Sequence, residues 1–380
     1  MKTIKVKFYP SNSQIELLEK HFGCNRFVYN WCLNKKVEEY NKNQKSISEA
    51  ELMRMITQLK KQKEFEWLKE PYSQTLQQSV KDLESAFSHF FRKNNKFPKS
   101  KSKHNSRQSF RYPQGFKVDR ENKTLKLPKI GYVKFRDKFN VPKELDFRNI
   151  TISRKNGKYY ASIVYSDATT NLKKKKPKLE KTLGIDLGVR TLATFSDGAK
   201  IENPKHIKQH EDKLKNIQKK LSGQVKGSNK YKETKLRLGK AHEKVSNVRK
   251  DFLHKLTNKI VENQNYDSIA IEDLGVKEMQ QDNYSAMSKL ISDASWRMVR
   301  SMLEYKCERE GKNLLVINRF DASSKTCCNC GYVYNLRRDE TEWVCVSCGS
   351  EHDRDVNASK NIRNFGIERF KKVGQTFSER

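Results

Sequence analysis

The 380-residue chain has no apolar run approaching the roughly 20 residues that a membrane span needs. It also lacks a long basic amphipathic face with a Trp/Phe/Leu insertion stripe. Both absences argue against a membrane partner. No leader-like segment opens it: Met1 to Lys7 alternates charged and apolar residues, as a strand does. A soluble, intracellular protein is expected. Acidic residues are scarce, with 45 Asp and Glu against 79 Lys and Arg, for a net charge of +34. Such an excess points to a polyanionic partner. Double-stranded nucleic acid is the first candidate, with an affinity that falls steeply with salt. No internal repeat is apparent.

What is present forms distinct zones. The hydrophobic fraction, 35%, is low but sufficient where it is concentrated in periodic segments. The length allows one large or two to three ordinary domains. A first strand over 3–9 precedes Ser13-x-x-Glu16, a capping-box pattern that opens a helix. Phe22-Gly23 is expected to break that helix. A second helix carries Phe27, Val28, Trp31 and Cys32, and Ser48-x-x-Glu51 opens a third. A long helix then carries Leu76, Val80, Leu83, Phe87 and Phe90 or Phe91 at a period near 3.6.

From Arg92 to Lys117 there are nine basic residues and no acidic one, interleaved with Phe97, Phe110, Tyr112 and Phe116. Lys96, Lys99, Lys101, Lys103, Arg107, Phe110, Arg111 and Tyr112 are the nucleic-acid contacts expected from this basic–aromatic pattern. Short strands follow, and Asn156-Gly157 marks a hairpin. The first strand can join this β-unit, which would make the helices an insertion. After a lysine-rich linker, strands at 182–187 and 191–196 lead into a helical stretch over 205–260. There 17 Lys or Arg face 5 Asp or Glu. Its buried stripe is read as Ala241, Val245, Val248, Phe252, Leu256 and Ile260, with the lysines on the other face. A strand at 268–272, a helix near 288–310, a strand at 313–318 and a last helix complete the order.

Three carboxylates occupy recognisable settings: Asp186 in an apolar strand between Gly184 and Gly188, Glu272 at the end of another apolar run, and Asp355 at the start of the last helix. The element order resembles the ribonuclease-H-like fold, in which these three positions meet at one sheet edge. Carboxylates brought together repel one another unless cations neutralise them. Hard oxygen ligands suit Mg²⁺ or Mn²⁺, and two such ions suit phosphodiester hydrolysis. Asp273 competes with Glu272 for this role, and Asp353 with Asp355. Separately, Cys327-x2-Cys330 and Cys345-x2-Cys348, 14 residues apart and each followed by glycine, have the spacing of a closed, structural Zn²⁺ site. Cys328 is surplus and could replace Cys327 in an off-register knuckle. Tyr332, Tyr334, Arg337, Arg338 and Trp343 between the pairs either pack on one another or touch nucleic acid.

Phe22–Trp31, Gln108–Pro113, Gly184–Val189, Ile271–Leu274, Ser324–Gly331 and His352–Ala358 together resemble TnpB, the RNA-guided nuclease of bacterial insertion sequences, related to compact type V CRISPR effectors. The resemblance implies an α/β multidomain protein. A wedge-like β-barrel would be interrupted by a helical recognition lobe and followed by a RuvC/RNase H-like nuclease domain with an inserted zinc ribbon. The implied division is a first wedge strand over 1–10, the helical lobe over 11–105, the wedge β-domain over 106–170 and a basic linker over 171–181. The nuclease domain would cover 182–325, the ribbon 326–350, and the rest of the nuclease domain with a C-terminal tail 351–380. By matching position, the catalytic and magnesium-binding acids would be Asp186, Glu272 and Asp355, and the zinc ligands Cys327, Cys330, Cys345 and Cys348. Implied partners are a guide RNA derived from the transposon end and double-stranded target DNA, in a monomeric ribonucleoprotein of the bacterial cytosol and nucleoid. Rival readings are a nuclease-inactive RNA-guided regulator or transposition accessory, and a strand-joining transposase.

Overall fold

The opening alternation becomes β1 (Lys2–Tyr9) in the computed structural model of the chain. Described are residues 2–378 apart from 106, 137–144, 167–171, 173, 276–287, 289–293 and 338–339. The chain divides into two units, 1–169 and 170–380. Among the described residues, no helix is long and apolar enough to cross a membrane.

In the first unit α1 (Asn12–Asn43), α2 (Glu49–Leu59) and α3 (Ser73–Phe91) follow β1. The capping box at the start of α1 is Ser11 with Gln14, not Ser13 with Glu16. The helix also runs on through Gly23. A helical glycine costs about 1 kcal/mol, but Phe22, Cys24 and Val28 around it are buried, and that packing outweighs the cost. Leu52, Leu76, Val80 and Leu83 complete the helical core.

Strands β2 (Arg107–Tyr112), β3 (Lys117–Asp119), β4 (Thr124–Leu127), β5 (Gly131–Arg136), β6 (Asp146–Lys155) and β7 (Lys158–Ser166) join β1 in a sheet of order β2-β6-β7-β1-β5-β4-β3. The helices therefore fall between a central strand and an edge strand of one sheet. Asn156 and Gly157 both adopt positive φ (51° and 74°), the geometry of a tight hairpin between β6 and β7. The expected closed barrel is not formed among the described residues. The edge strands β2 and β3 do not pair, and β3, with three residues, has too little edge for a closing ladder.

The second unit holds β8 (Thr182–Asp186), β9 (Thr191–Phe195), β10 (Lys200–Glu202), β11 (Ser268–Glu272) and β12 (Asn313–Ile317) in the order β10-β9-β8-β11-β12. Its helices are α4 (His206–Gln209), α5 (Glu211–Ser222), α6 (Asn229–Glu262), α7 (Trp296–Arg309) and α8 (Arg354–Ser378). The segment expected to open α7 lies largely outside the described residues, as do Lys173 of the linker and Arg338 of the ribbon. β8, β11 and β12 run parallel and read as near-continuous apolar runs because both faces are covered. On one face Leu183, Ile185, Ile269 and Ile271 meet Leu253, Leu256 and Ile260 of α6 and Val299 and Leu303 of α7. Val248, expected in the buried stripe of α6, is 38% exposed, and Leu253 takes the place in the core. On the other face Ala270, Leu315 and Ile317 meet Ile362 and Ile367 of α8. A small pair, β13 (Glu342–Val344) and β14 (Glu351–Asp353), precedes α8.

Candidate active site and metal centre

Asp186 and Glu272 end two adjacent parallel strands. Ile185 pairs with Ile271, so the two acids stand at the same level, about 4.8 Å apart along the sheet and directed to one face. That face is covered by α8. Two residues before Asp186, the backbone of α8 comes so close to Gly184 that a Cβ there would lie 2.0 Å from the Ser359 carbonyl oxygen. Two residues of strand and four residues of helix each span about 6–7 Å. Stepping forward from Gly184 to Asp186 and back from Ser359 to Asp355 therefore brings the helix acid toward Asp186.

The electrostatics agree. Burial, then the charges of Asp355 and Glu272, push the Asp186 carboxyl up to about 7. Glu272 is raised to about 7 by burial, then by Asp321 and Asp273.

The competing acids have other partners. Asp273 pairs with Arg300 and, at 3.9 Å, with Arg319. Asp353 pairs with Lys200 at 2.6 Å and accepts from the Val356 N–H at 2.9 Å, capping α8. Burial pushes the Asp353 carboxyl up, but the Lys200 and Val356 hydrogen bonds outweigh it and hold the carboxyl below its ordinary value. Asp355 is thus not the cap. A cleft of about 490 Å³, lined by Glu272, Trp296, Arg297, Arg300 and Arg319, opens beside Glu272 and Asp273. Trp296 donates through Nε1 to the Gly188 carbonyl at 3.2 Å and so supports the turn after Asp186.

The cysteine pairs converge. The sulfurs of Cys327, Cys330, Cys345 and Cys348 all lie within 4.8 Å of one another. Cys327 and Cys348 are 3.7 Å apart, and Cys330 and Cys345 are 3.6 Å apart. Four sulfurs about 2.3 Å from a tetrahedral zinc would stand about 3.8 Å apart, so the set fits that ion. Cys328 lies outside it, and its N–H donates to Asn357 Oδ1 at 2.9 Å. His352 Nε2 is 3.1 Å from Cys327 Sγ, a neighbour that ligand spacing alone did not single out. Tyr334 stacks on Trp343, which packs on His352, so these ribbon aromatics pack on one another. Asp186, Glu272 and Asp355 are a looser group than the thiols: among the described residues the cysteines are the set whose ligand atoms all lie within 4.8 Å of one another.

The expected nucleic-acid contacts separate into two sets. Lys96, Lys99, Lys103 and Arg107 are exposed. Phe110 and Tyr112 are not contacts: both are buried, and the Tyr112 hydroxyl donates to the Pro128 carbonyl. Strand alternation in β2 turns 108, 110 and 112 inward, and this alternation produced the aromatic interleaving of the sequence. Arg111 pairs with Asp82 at 3.4 Å, and Lys101 lies over the Tyr29 ring at 3.8 Å with its pKa lowered by burial. The exposed aromatics are instead Phe91 (74%) and Phe97 (47%), which cluster with Phe87 and Phe90. In the second unit Lys213, Arg237, Lys240 and Lys244 line a groove between α5 and α6.

Family profiles match three stretches: one described as "Probable transposase" at residues 162–283, one as "Cas12f1-like, TNB domain" at 296–362, and a "Helix-turn-helix domain" at 1–45. A Streptomyces pristinaespiralis protein named "Putative RNA-guided DNA endonuclease" is 35% identical over 369 residues, covering 96% of this chain and 89% of the relative. InsQ of Escherichia coli K12, which carries the same designation, is 32% identical over 377 residues, covering 95% and 91%. Among solved structures, the Cas12f1 chain of a Cas12f1–sgRNA–target DNA complex shares the fold at 14% identity. Its TM-score is 0.59, with 92% of this chain and 82% of that chain covered. Similarity of this extent, along nearly the whole of both relatives, makes the chain a member of the TnpB family.

Proposed function

We propose that this chain is an RNA-guided DNA endonuclease of a transposable element, cutting at a guide-complementary site beside a short flanking motif. What supports the reading most is that Glu272, from the neighbouring strand, and Asp355, from a helix, both act on Asp186, with an arginine-lined cleft beside Glu272. These carboxylates would hold two Mg²⁺ or Mn²⁺ ions. When bound, the pair supplies Lewis-acid activation of a water and charge stabilisation at the leaving 3′ oxygen. The rest falls to the chain. Arg297, Arg300 and Arg319 offer guanidinium forks to the phosphates of the entering strand. Asp273 holds two of these arginines in place. Lys96, Lys99, Lys103 and Arg107, with Phe91 and Phe97, contact the guide or its heteroduplex.

Cys327, Cys330, Cys345 and Cys348 would hold a structural zinc. Asn357 and Asn361 of α8 both donate to the Thr326 carbonyl, so the first knuckle is tied to the helix that carries Asp355. Sequence choice would reside in guide pairing, with the first unit reading the flanking motif. The guide would derive from the transposon end and the particle would hold one protein copy.

The test is Asp186→Ala in the guide-loaded protein. Cleavage of a target plasmid in Mg²⁺ is lost while RNA-dependent target binding persists. Loss of both in a folded variant counts against the assignment, and a wild-type complex that binds without cutting would make the chain a regulator.

A further inference from the structure

We propose that Phe320 stacks on an unpaired base of the DNA strand entering the cleft beside Glu272, and so positions that strand for cleavage. The inference rests on the nuclease reading above and adds to it a side chain that holds one base of the entering strand.

β12 ends at Ile317, which is in register with Glu272 on β11, and the Asp273 N–H donates to the Ile317 carbonyl at 3.2 Å. The next residues form a tight turn. The Asp321 N–H donates to the Asn318 carbonyl at 3.1 Å, and the Asn318 N–H returns to Asp321 Oδ2 at 2.9 Å. The Phe320 N–H donates to Asn318 Oδ1 at 3.3 Å. A backbone held this way fixes where its tip points, and at the tip Phe320 is 85% exposed, the highest exposure of the large apolar side chains among the described residues.

Arg319 directly precedes Phe320 in the chain. Arg319 reaches Asp273 and lines the same cleft as Glu272, Arg297 and Arg300. A phosphate-binding set and an outward aromatic face therefore flank one carboxylate. Guanidinium groups bind phosphates, and a phenyl ring offers a base a π-surface that any base can use. A paired base inside a duplex keeps both faces covered by its neighbours, so stacking on Phe320 requires a melted strand. A protein ligand would gain little from a single exposed ring next to an arginine-lined cleft. Nucleic acid uses both features at once.

The experiment uses the full guide-loaded protein with Mg²⁺ and single-turnover cleavage of a matched DNA target. Phe320→Ala lowers the rate at subsaturating complex by roughly ten- to a hundredfold. Phe320→Trp and Phe320→Tyr restore most of it, and Phe320→Leu does not. In an Asp186→Ala background, 2-aminopurine placed in turn along the displaced strand and the target strand is quenched at one position, and Phe320→Ala removes that quenching. Guide binding and the melting temperature stay at wild-type values, as expected for so exposed a side chain.

Wild-type rates for Phe320→Ala overturn the inference while leaving the nuclease reading intact. Full rescue by leucine also overturns it, since simple apolar contact would then suffice, as does a change in oligomeric state as the sole effect of the alanine variant. A wild-type complex that cuts nothing removes the nuclease reading and this inference together.

Discussion

Gly184→Ala tests the geometry of the carboxylate site without altering a carboxylate. The added Cβ would meet the Ser359 carbonyl oxygen at 2.0 Å, Arg363 Cβ at 2.9 Å and the Arg363 nitrogen at 3.0 Å. Ordinary contact begins near 3.4 Å, so β8 and α8 must separate by roughly 1.4 Å at that point. The atoms in the way are largely backbone and cannot rotate aside. Overpacking of this kind costs about 1–3 kcal/mol of stability. The larger effect falls on chemistry, because Asp355 rides on the helix that must move and Asp186 stays on the strand. A misplacement near 1 Å costs about a hundredfold in rate. The expected outcome is a folded variant with a modestly lowered melting temperature, intact RNA-dependent target binding, and single-turnover cleavage reduced by about two orders of magnitude. Cleavage at the wild-type rate would refute the claim that the Gly184–Ser359 contact sets the separation of the two acids. A comparable loss of binding would show damage beyond the site.

Other perturbations separate the remaining claims. Asp186 and Glu272 titrate near 7, well above an unfolded carboxyl, so they favour the metal-free fold fully below about pH 4 and lose that contribution as pH rises through about 7. Mg²⁺ needs the ionised forms, so it raises the melting temperature by about 3–5 °C at pH 8 and leaves it unchanged at pH 5; equal shifts at both values contradict the coupling. Cys328→Ser keeps one zinc per chain by elemental analysis, whereas Cys345→Ser loses it; the reverse would place the ligand set wrongly. Phe110→Ala costs about 3–5 kcal/mol in denaturant melts and leaves the salt slope of nucleic-acid binding alone, whereas Lys96→Ala with Lys99→Ala lowers the slope and not the stability. A flattened slope for Phe110→Ala would return that ring to the surface.

Much of the second unit was legible because its signals are local. Apolar runs ending at Asp186 and Glu272 are buried parallel strands, and two Cys-x2-Cys knuckles with a following glycine draw four sulfurs together with no knowledge of the intervening loop. What misled was local patterning with more than one cause. Aromatic residues alternating with basic ones in 107–112 fit a stacking surface and a half-buried strand equally well. The partner strand β6 decides in favour of the strand. Gly23 looks like a helix stop until the surrounding core is known. Closure of the first sheet depends on pairings between its two edge strands, and no short segment records that.

The choice among the acids shows the limit most sharply. Glu272 and Asp273 are neighbours at one strand end, and Asp353 and Asp355 flank one helix start. Composition and period treat each pair alike. What distinguishes them is the arrival of cations from elsewhere: Arg300 reaches Asp273 from 27 residues away, and Lys200 reaches Asp353 from 153 residues away. Each pairing neutralises the acid beside the site. Among the described residues Asp186, Glu272 and Asp355 form no such close ion pair, although the charge of Arg354 draws Asp186 down, in a chain with 34 more basic than acidic side chains. Holding these carboxylates there costs free energy: burial first, then Asp355 and Glu272, raises Asp186, and burial, then Asp321 and Asp273, raises Glu272. A fold accepts such a cost where an external cation recovers it. The arginines and lysine spent on Asp273 and Asp353 thus define the site by subtraction, which is why the site can be located in the structure though its members were only candidates in the sequence.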